Sequence, residues 1–206
     1  MDDVLKVYWD LRQEVLDTSR ELERHFSSTE SSLQIQFFSM MFNEITCTIE
    51  MLDSYQIKWK SAVHTNCATT EDARKQNEQR VILIQRSGFI NTISALEFCL
   101  RKIHENYPYV LGRMPSFTIK NLMERSVEKS YVSDANKVLW TGVYDLRNCI
   151  VHNNSHGFKT ATHIYPDVRL RMNKDVMTQG GLLTFAYLSR WVLSATKEWM
   201  LAAVPK

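Results

Sequence analysis

Hydrophobic residues along this chain recur mostly at helical spacing. From Asp2 to about Phe26, Val4, Val7, Tyr8, Leu11, Val15 and Leu22 follow at three- and four-residue steps with charges between them, which predicts a first amphipathic helix. Asp2 and Asp3 suit its start, where the helix dipole favours anions. Ser27 to Ser32 reads as a turn that supplies N-cap residues for the next helix. That second helix runs from about Ser32 to about Val63 through Ile35, Phe38, Met41, Phe42, Ile45, Ile49 and Leu52. Thr70 caps a third helix, with Glu71 and Asp72 in its first turn, and Pro108 stops it near Tyr107. Pro108–Pro115 reads as a loop, Ser116–Val132 as a shorter helix, and Ser133-Asp134 as the start of a fifth helix that reaches about Asn153. Asn153-Asn154-Ser155-His156-Gly157 is a stop signal. Thr160–Asn173 then alternates loosely, with Val168, Leu170 and Met172 on one side, as a short β-excursion or an ordered loop would. A last helix is expected over Asp175–Val204, interrupted at Gly180-Gly181. The expected fold is therefore all-α, an up-down bundle of about five to six helices with a short irregular or β-like excursion before the last one.

Composition supports that class. Gly (6) and Pro (4) are too scarce for the many tight turns of barrels and sandwiches. Hydrophobic residues at 44% and charged residues at 23% suit a globular chain rather than a disordered one. No internal repeat or long linker divides the 206 residues, so one domain is expected, with residues 1–65 as an N-terminal helical pair and 71–206 as a core bundle. No apolar run approaches a membrane span, and the acidic start does not read as a secretory signal. Cys47, Cys67, Cys99 and Cys149 form no C-x-x-C pair, and Cys99 and Cys149 fall in apolar helical patterns as buried thiols. A reducing, cytoplasmic setting is the corresponding expectation. Net charge is +2, but residues 1–100 carry 10 basic and 15 acidic side chains whereas 101–206 carry 15 basic and 8 acidic. A polyanion would favour the second half; two oppositely charged halves packing together would leave the same imbalance.

The densest chemistry lies in Tyr144-Asp145-Leu146-Arg147-Asn148-Cys149-Ile150-Val151-His152-Asn153. At about 100° per residue, Arg147 falls within the apolar arc of Trp140, Leu146, Ile150 and Val151, so its guanidinium needs a partner. Glu97, the single acid between Ile93 and Leu100, is the candidate, and a Glu97–Arg147 pair would lock the third helix to the fifth. Asn148 and His152, at i and i+4, share a polar face with Asp145 beside them. An ideal helix points Arg147 and His152 about 140° apart. They are then expected to converge only where the helix unwinds near Val151, or between two subunits.

Arg147-Asn148-x-x-x-His152 resembles the R-(polar)-x-x-x-H motif of the HEPN superfamily, nucleotide-binding helical bundles in which the motif ends a late helix before a polar turn. Asn91 to Arg101 also looks like that family's earlier core helix. The likeness covers roughly residues 75–204 in helix order and is specific over 144–154; the N-terminal helix pair has no counterpart in the minimal bundle. The resemblance implies metal-independent RNA cleavage by a homodimer with two facing motifs, as in toxin–antitoxin or phage-defence ribonucleases, with RNA as substrate and a cognate antitoxin as a possible partner. His152 would be the general base or acid, Arg147 would stabilise the phosphate, and Asn148 would orient either. No cofactor or metal is implied. The residue chemistry suits this independently: RNA carries its own 2′-hydroxyl nucleophile, His exchanges protons near neutrality, and the Arg fork fits two phosphate oxygens.

Other constellations are weaker. His152-x-x-x-His156 has metal-ligand spacing only if the helix continues past Asn153. Cys149 and His152 form a conceivable nucleophile pair with poor geometry inside one helix. Arg169, Arg171 and Lys174 make a basic stretch that suits either RNA phosphates or a solvated loop. Tyr8, Trp9, Trp191 and Trp199 read as core or interface rather than as stacking platforms, and no Gly-rich phosphate loop occurs. Three functional readings stand: a ribonuclease, a non-catalytic HEPN-like dimeric module binding a nucleotide or protein, and a structural dimer in which Arg147 is a core ion pair.

Overall fold

In a computed structural model of the chain, residues 2–27, 32–64, 71–114, 116–152, 157, 159–175 and 181–205 are described. Helix α1 (Asp2–Phe26) buries Val4, Tyr8, Leu11, Val15, Ser19, Leu22 and Phe26, a stripe that steps by three and four residues as one helix face requires. It packs along α2 (Leu33–His64), which turns Ile35, Phe38, Met41, Ile45, Ile49 and Leu52 into the core. Gln56 of α2 donates to Asp2 at one end of the pair, and the Arg12 guanidinium donates to Thr46 Oγ1 farther along, so α1 and α2 are antiparallel. Helix α3 (Glu71–Asn106) returns along α2: Asn91 donates to Glu44, and Gln34 donates to the Tyr107 hydroxyl.

The one-turn helix α4 (Pro108–Leu111) has Pro at its first position, where a missing N–H costs nothing. Helix α5 (Ile119–Glu128) is shorter than the expected Ser116–Val132. Thr118 caps it by accepting from the Asn121 N–H, and Ser130 ends it at φ 61°, with the Tyr131 N–H reaching back to the Ser126 carbonyl. Helix α6 (Asp134–His152) follows, then the expected excursion, an antiparallel hairpin of β1 (Ala161–Ile164) and β2 (Arg169–Met172). Helix α7 (Thr184–Ala203) closes the chain. It starts nine residues later than the Asp175 start expected from periodicity: Asp175 has φ 59°, just beyond a bridge between Gly157 and Lys174, and the Gly180 of the expected interruption lies outside the described residues.

Helix α7 is the element around which the others gather. Thirteen of its side chains are buried and together cover more than half of its circumference, while Ser194, Glu198 and Leu201 mark the exposed remainder. Arg190 pairs with Glu14 and Lys197 with Glu21, so α7 runs parallel to α1. Its Phe185 meets Phe89 of α3 at 5.5 Å between ring centroids, and Trp191 meets Trp140 of α6 and Tyr165 beyond β1, each at 5.0 Å. The buried Trp199 indole donates to Ser126 Oγ on α5 at 2.9 Å. One hydrophobic cluster accordingly draws on α1 through α7 and the hairpin, and among the described residues the bundle is all-α apart from this one small sheet. Among the described residues no helix is long and apolar enough to cross a membrane.

The hairpin lies flat on α6 because residue 142 has no side chain. A Cβ there would come within 2.6 Å of both the His163 ring and the Tyr165 hydroxyl, which donates to the Leu139 carbonyl. Gly142→Ala is therefore expected to destabilise the fold by about 1–3 kcal/mol, as overpacking does. Chemical denaturation would measure it, with Trp191 fluorescence reporting the displaced hairpin. His163 is buried in this joint. Burial holds its pKa below the ordinary value, with Lys159 acting in the same direction and Asp145 and a hydrogen bond to the Val138 backbone against it. The native state thus favours neutral imidazole, and the unfolded chain binds the extra proton first as pH falls. Stability from this group is complete above about pH 6.5 and declines below it until native His163 itself protonates. The melting temperature of wild type relative to His163→Gln should shrink between about pH 7.5 and pH 5.5; a constant difference would remove His163 as the cause.

Candidate functional site

The last two turns of α6 gather the residues that the sequence singled out. The Arg147 stem leaves the apolar side of the helix, and the side chain is only 19% exposed. Nη1 donates to Asn148 Oδ1 at 3.0 Å and lies 3.1 Å from His152 Nε2. Because Arg has no acceptor, this last contact uses the lone pair of Nε2, which places the proton of a neutral His152 ring on Nδ1. The helix continues through His152, so neither unwinding near Val151 nor a second subunit is needed to join the two. The 140° separation applies to Cα directions. Five residues rise only about 7.5 Å, a span the long Arg side chain covers while the imidazole leans back.

Glu97 comes from α3 as expected, but its Oε2 stands 4.0 Å from Arg147 Nη2, at the outer limit of an ion pair and beyond hydrogen-bond length. The Tyr144 phenol lies beside this pair. Burial raises its pKa, the Glu97 carboxylate raises it further, and Arg147 opposes both, so the hydroxyl stays protonated at neutral pH. Arg147 Nε is buried with no hydrogen-bond partner among the described residues. The guanidinium is therefore committed on one edge to Asn148 and His152, and held on another by the field of Glu97. His152 itself is exposed.

Asn148 also faces a second space. Thr141, Tyr144, Asp145 and Asn148, at i, i+3, i+4 and i+7 on α6, line a cavity of about 290 Å³ whose other wall is the first turn of α5 with its cap, Thr118. Asp145 Oδ2 pairs with Lys159 Nζ at 2.7 Å, which fastens the segment before β1 to α6. This polar stripe is present in the sequence at helical spacing, and attention to the Arg-to-His motif alone passes over it. Tyr144 and Lys159 are likewise residues that the motif does not indicate.

The remaining candidates do not converge on this point. Arg169 and Arg171 are exposed on β2, opposite Ile164 and Thr162, on the face of the hairpin that looks away from α6. Leu170 and Met172 take the inner face with His163, and Lys174 is exposed beyond the strand. The hairpin-side cation that reaches α6 is Lys159. The Cys149 thiol is buried in the core while His152 is exposed, so the two do not form a nucleophile pair. Cys99 is buried too, its pKa pushed up to about 12 by burial. His156 lies outside the described residues, among which no three His, Cys, Asp or Glu side chains are grouped as metal ligands.

Removing the Glu97 carboxylate leaves a mostly buried guanidinium with less compensation. Glu97→Ala is expected to lower unfolding free energy by about 1–3 kcal/mol, less than a fully buried pair would lose, because the two side chains are 19% and 25% exposed. Urea denaturation of wild type beside the variant measures this. A loss below about 0.5 kcal/mol, the scale of an exposed pair, would show that Glu97 does not compensate Arg147.

Compared with protein-family models, curated proteins and solved structures, the chain matches none of them.

Proposed function

We propose that this chain is an endoribonuclease of the HEPN type, cleaving RNA without a metal ion and using Arg147, Asn148 and His152. One observation carries the reading: among the described residues, the Arg147 guanidinium makes its two shortest contacts to Asn148 and to the exposed His152, and only a 4.0 Å contact to Glu97. A purely structural arginine would turn its fork onto the carboxylate at hydrogen-bond length. Here the fork is aimed at the solvent end of α6, beside a group that accepts protons.

The chemistry then runs through this chain's own groups. A phosphate bound by Nη1 displaces His152 from it, which frees the Nε2 lone pair for the adjacent ribose 2′-hydroxyl. His152 takes that proton while O2′ bonds to phosphorus and the P–O5′ bond breaks. Arg147 stabilises the charge that builds on the phosphoryl oxygens, and Asn148 keeps the guanidinium in place. The leaving O5′ receives its proton from the protonated His152 of a second copy, the arrangement that a homodimer with facing motifs provides. The products are a 2′,3′-cyclic phosphate and a 5′-hydroxyl. As in the family it resembles, such an enzyme would serve as a toxin or defence nuclease controlled by a cognate antitoxin. The second reading, a non-catalytic nucleotide-binding module, draws support from the cavity beside Asn148.

The test is cleavage of several RNAs by purified protein in EDTA, wild type beside His152→Ala, with end-group analysis. Cyclic phosphate ends from wild type, and a loss of at least a hundredfold in the variant at unchanged circular dichroism, are expected, since general acid–base groups contribute about 10²–10⁴-fold. Absence of cleavage by the well-folded dimer would reject the nuclease and leave the binding module.

A further inference from the structure

We infer that the cavity between α5 and α6 is a base subsite, which takes one unpaired, unstacked nucleobase of the RNA strand whose neighbouring phosphate lies at Arg147. This rests on the ribonuclease reading for the identity of the strand, and it names the substrate as single-stranded RNA.

Size and walls point to a flat ring system. At about 290 Å³ the cavity lies at the small end of ligand pockets. It holds one base, and neither a helix nor a stacked base pair would enter it. Ile119 and Met123 on α5 form its apolar side and are almost wholly buried, and the Tyr144 ring adds an aromatic side. Two larger hollows, of about 480 Å³ along α1 and α2 and about 370 Å³ near Tyr55, lie on other elements, away from the Arg147 cluster.

The polar side points to a neutral ligand with both a donor and an acceptor on its edge. Asp145 Oδ2 is taken by Lys159, so the carboxylate charge is already balanced and a cation is not called for. The carboxylate lines the cavity and is the group on its edge that accepts an N–H. On Asn148, Oδ1 must face Arg147 because a guanidinium only donates, and the amide nitrogen is left to donate to the ligand. One turn of helix thus offers an acceptor and a donor side by side, which suits the Watson–Crick edge of a base and does not suit a phosphate or a fatty chain. Lys120, exposed where α5 begins, supplies a cation at the rim for the backbone. Asn148 belongs to both spaces, so a base held there brings its own phosphodiester to the guanidinium. A base still paired in a duplex cannot reach in, because its edge is occupied and its faces are stacked.

The experiment measures binding apart from cleavage. Anisotropy of a fluorescein-labelled single-stranded octaribonucleotide is followed with His152→Ala protein in EDTA. The same strand built on abasic riboses, and the same sequence as a duplex, are the comparison probes. Both should bind at least tenfold more weakly than the intact single strand. Two second-site variants, Thr141→Phe to fill the cavity and Asp145→Asn to alter its edge at constant shape, should each weaken the intact strand at least fivefold and leave the abasic strand within twofold. The Asp145→Asn result stands even where Thr141→Phe fails to fold by circular dichroism. Equal affinity for intact and abasic strands would overturn the subsite. If wild-type protein also cleaves both strands equally, the nuclease survives without it. Base-dependent binding by a wild type that cleaves nothing would keep the subsite and remove the nuclease. No binding to any of the RNAs would remove both.

Discussion

Helix α7 buries more than half of its circumference, and it imposes on the rest of the chain the need to cover that broad face. Phe185, Leu188, Trp191, Val192, Trp199 and Met200 point in different directions from its axis, and each needs a wall. Helices α1 and α3 supply one side, with the Glu14–Arg190 and Glu21–Lys197 pairs setting the register of α1 against α7. The α5–α6 pair and the hairpin supply the other through Ser126, Trp140 and Tyr165. Hydrophobic burial of this kind is non-directional and does not select one arrangement. The few directional contacts, Trp199 to Ser126 and the two ion pairs, do that selecting.

The position of α6 follows from the same arrangement, and the candidate site follows from α6. With Trp140, Val143, Leu146 and Cys149 facing the core, the helix must present Arg147 at the edge of the apolar face towards α3, and the Thr141-to-Asn148 stripe towards α5. A guanidinium at the edge of a core is expensive to leave without partners. Glu97 answers it with charge, and Asn148 and His152 answer it with hydrogen-bonding atoms. This division leaves Arg147 mostly buried, with one edge of its guanidinium beside the exposed His152. Gly142 matters at the middle of the helix, since the hairpin that carries His163 and follows Lys159 can dock only where a side chain is missing.

The amphipathic pattern by itself determined the elements: the long helices, the break at Pro108, the alternation before the last helix and the all-α class. These depend on local spacing, which the chain carries wherever it goes. It also determined that Arg147 needs a partner and that Glu97 could be one, because a charge within an apolar arc has few solutions. Tertiary structure alone decided how that need is met. Projection onto an ideal helix treats side chains as points on a wheel, so it separates Arg147 from His152, whereas a long flexible stem joins them within one chain. Helix ends were set by left-handed residues such as Ser130 and Asp175, whose conformations depend on what packs after them. Likewise, Arg169 and Arg171 are near the motif in sequence but outward in space, because the pleat gives the inner face to Leu170 and Met172. The cavity beside Asn148 exists only because α5 crosses α6 at that stripe, a relation between segments that local spacing cannot encode.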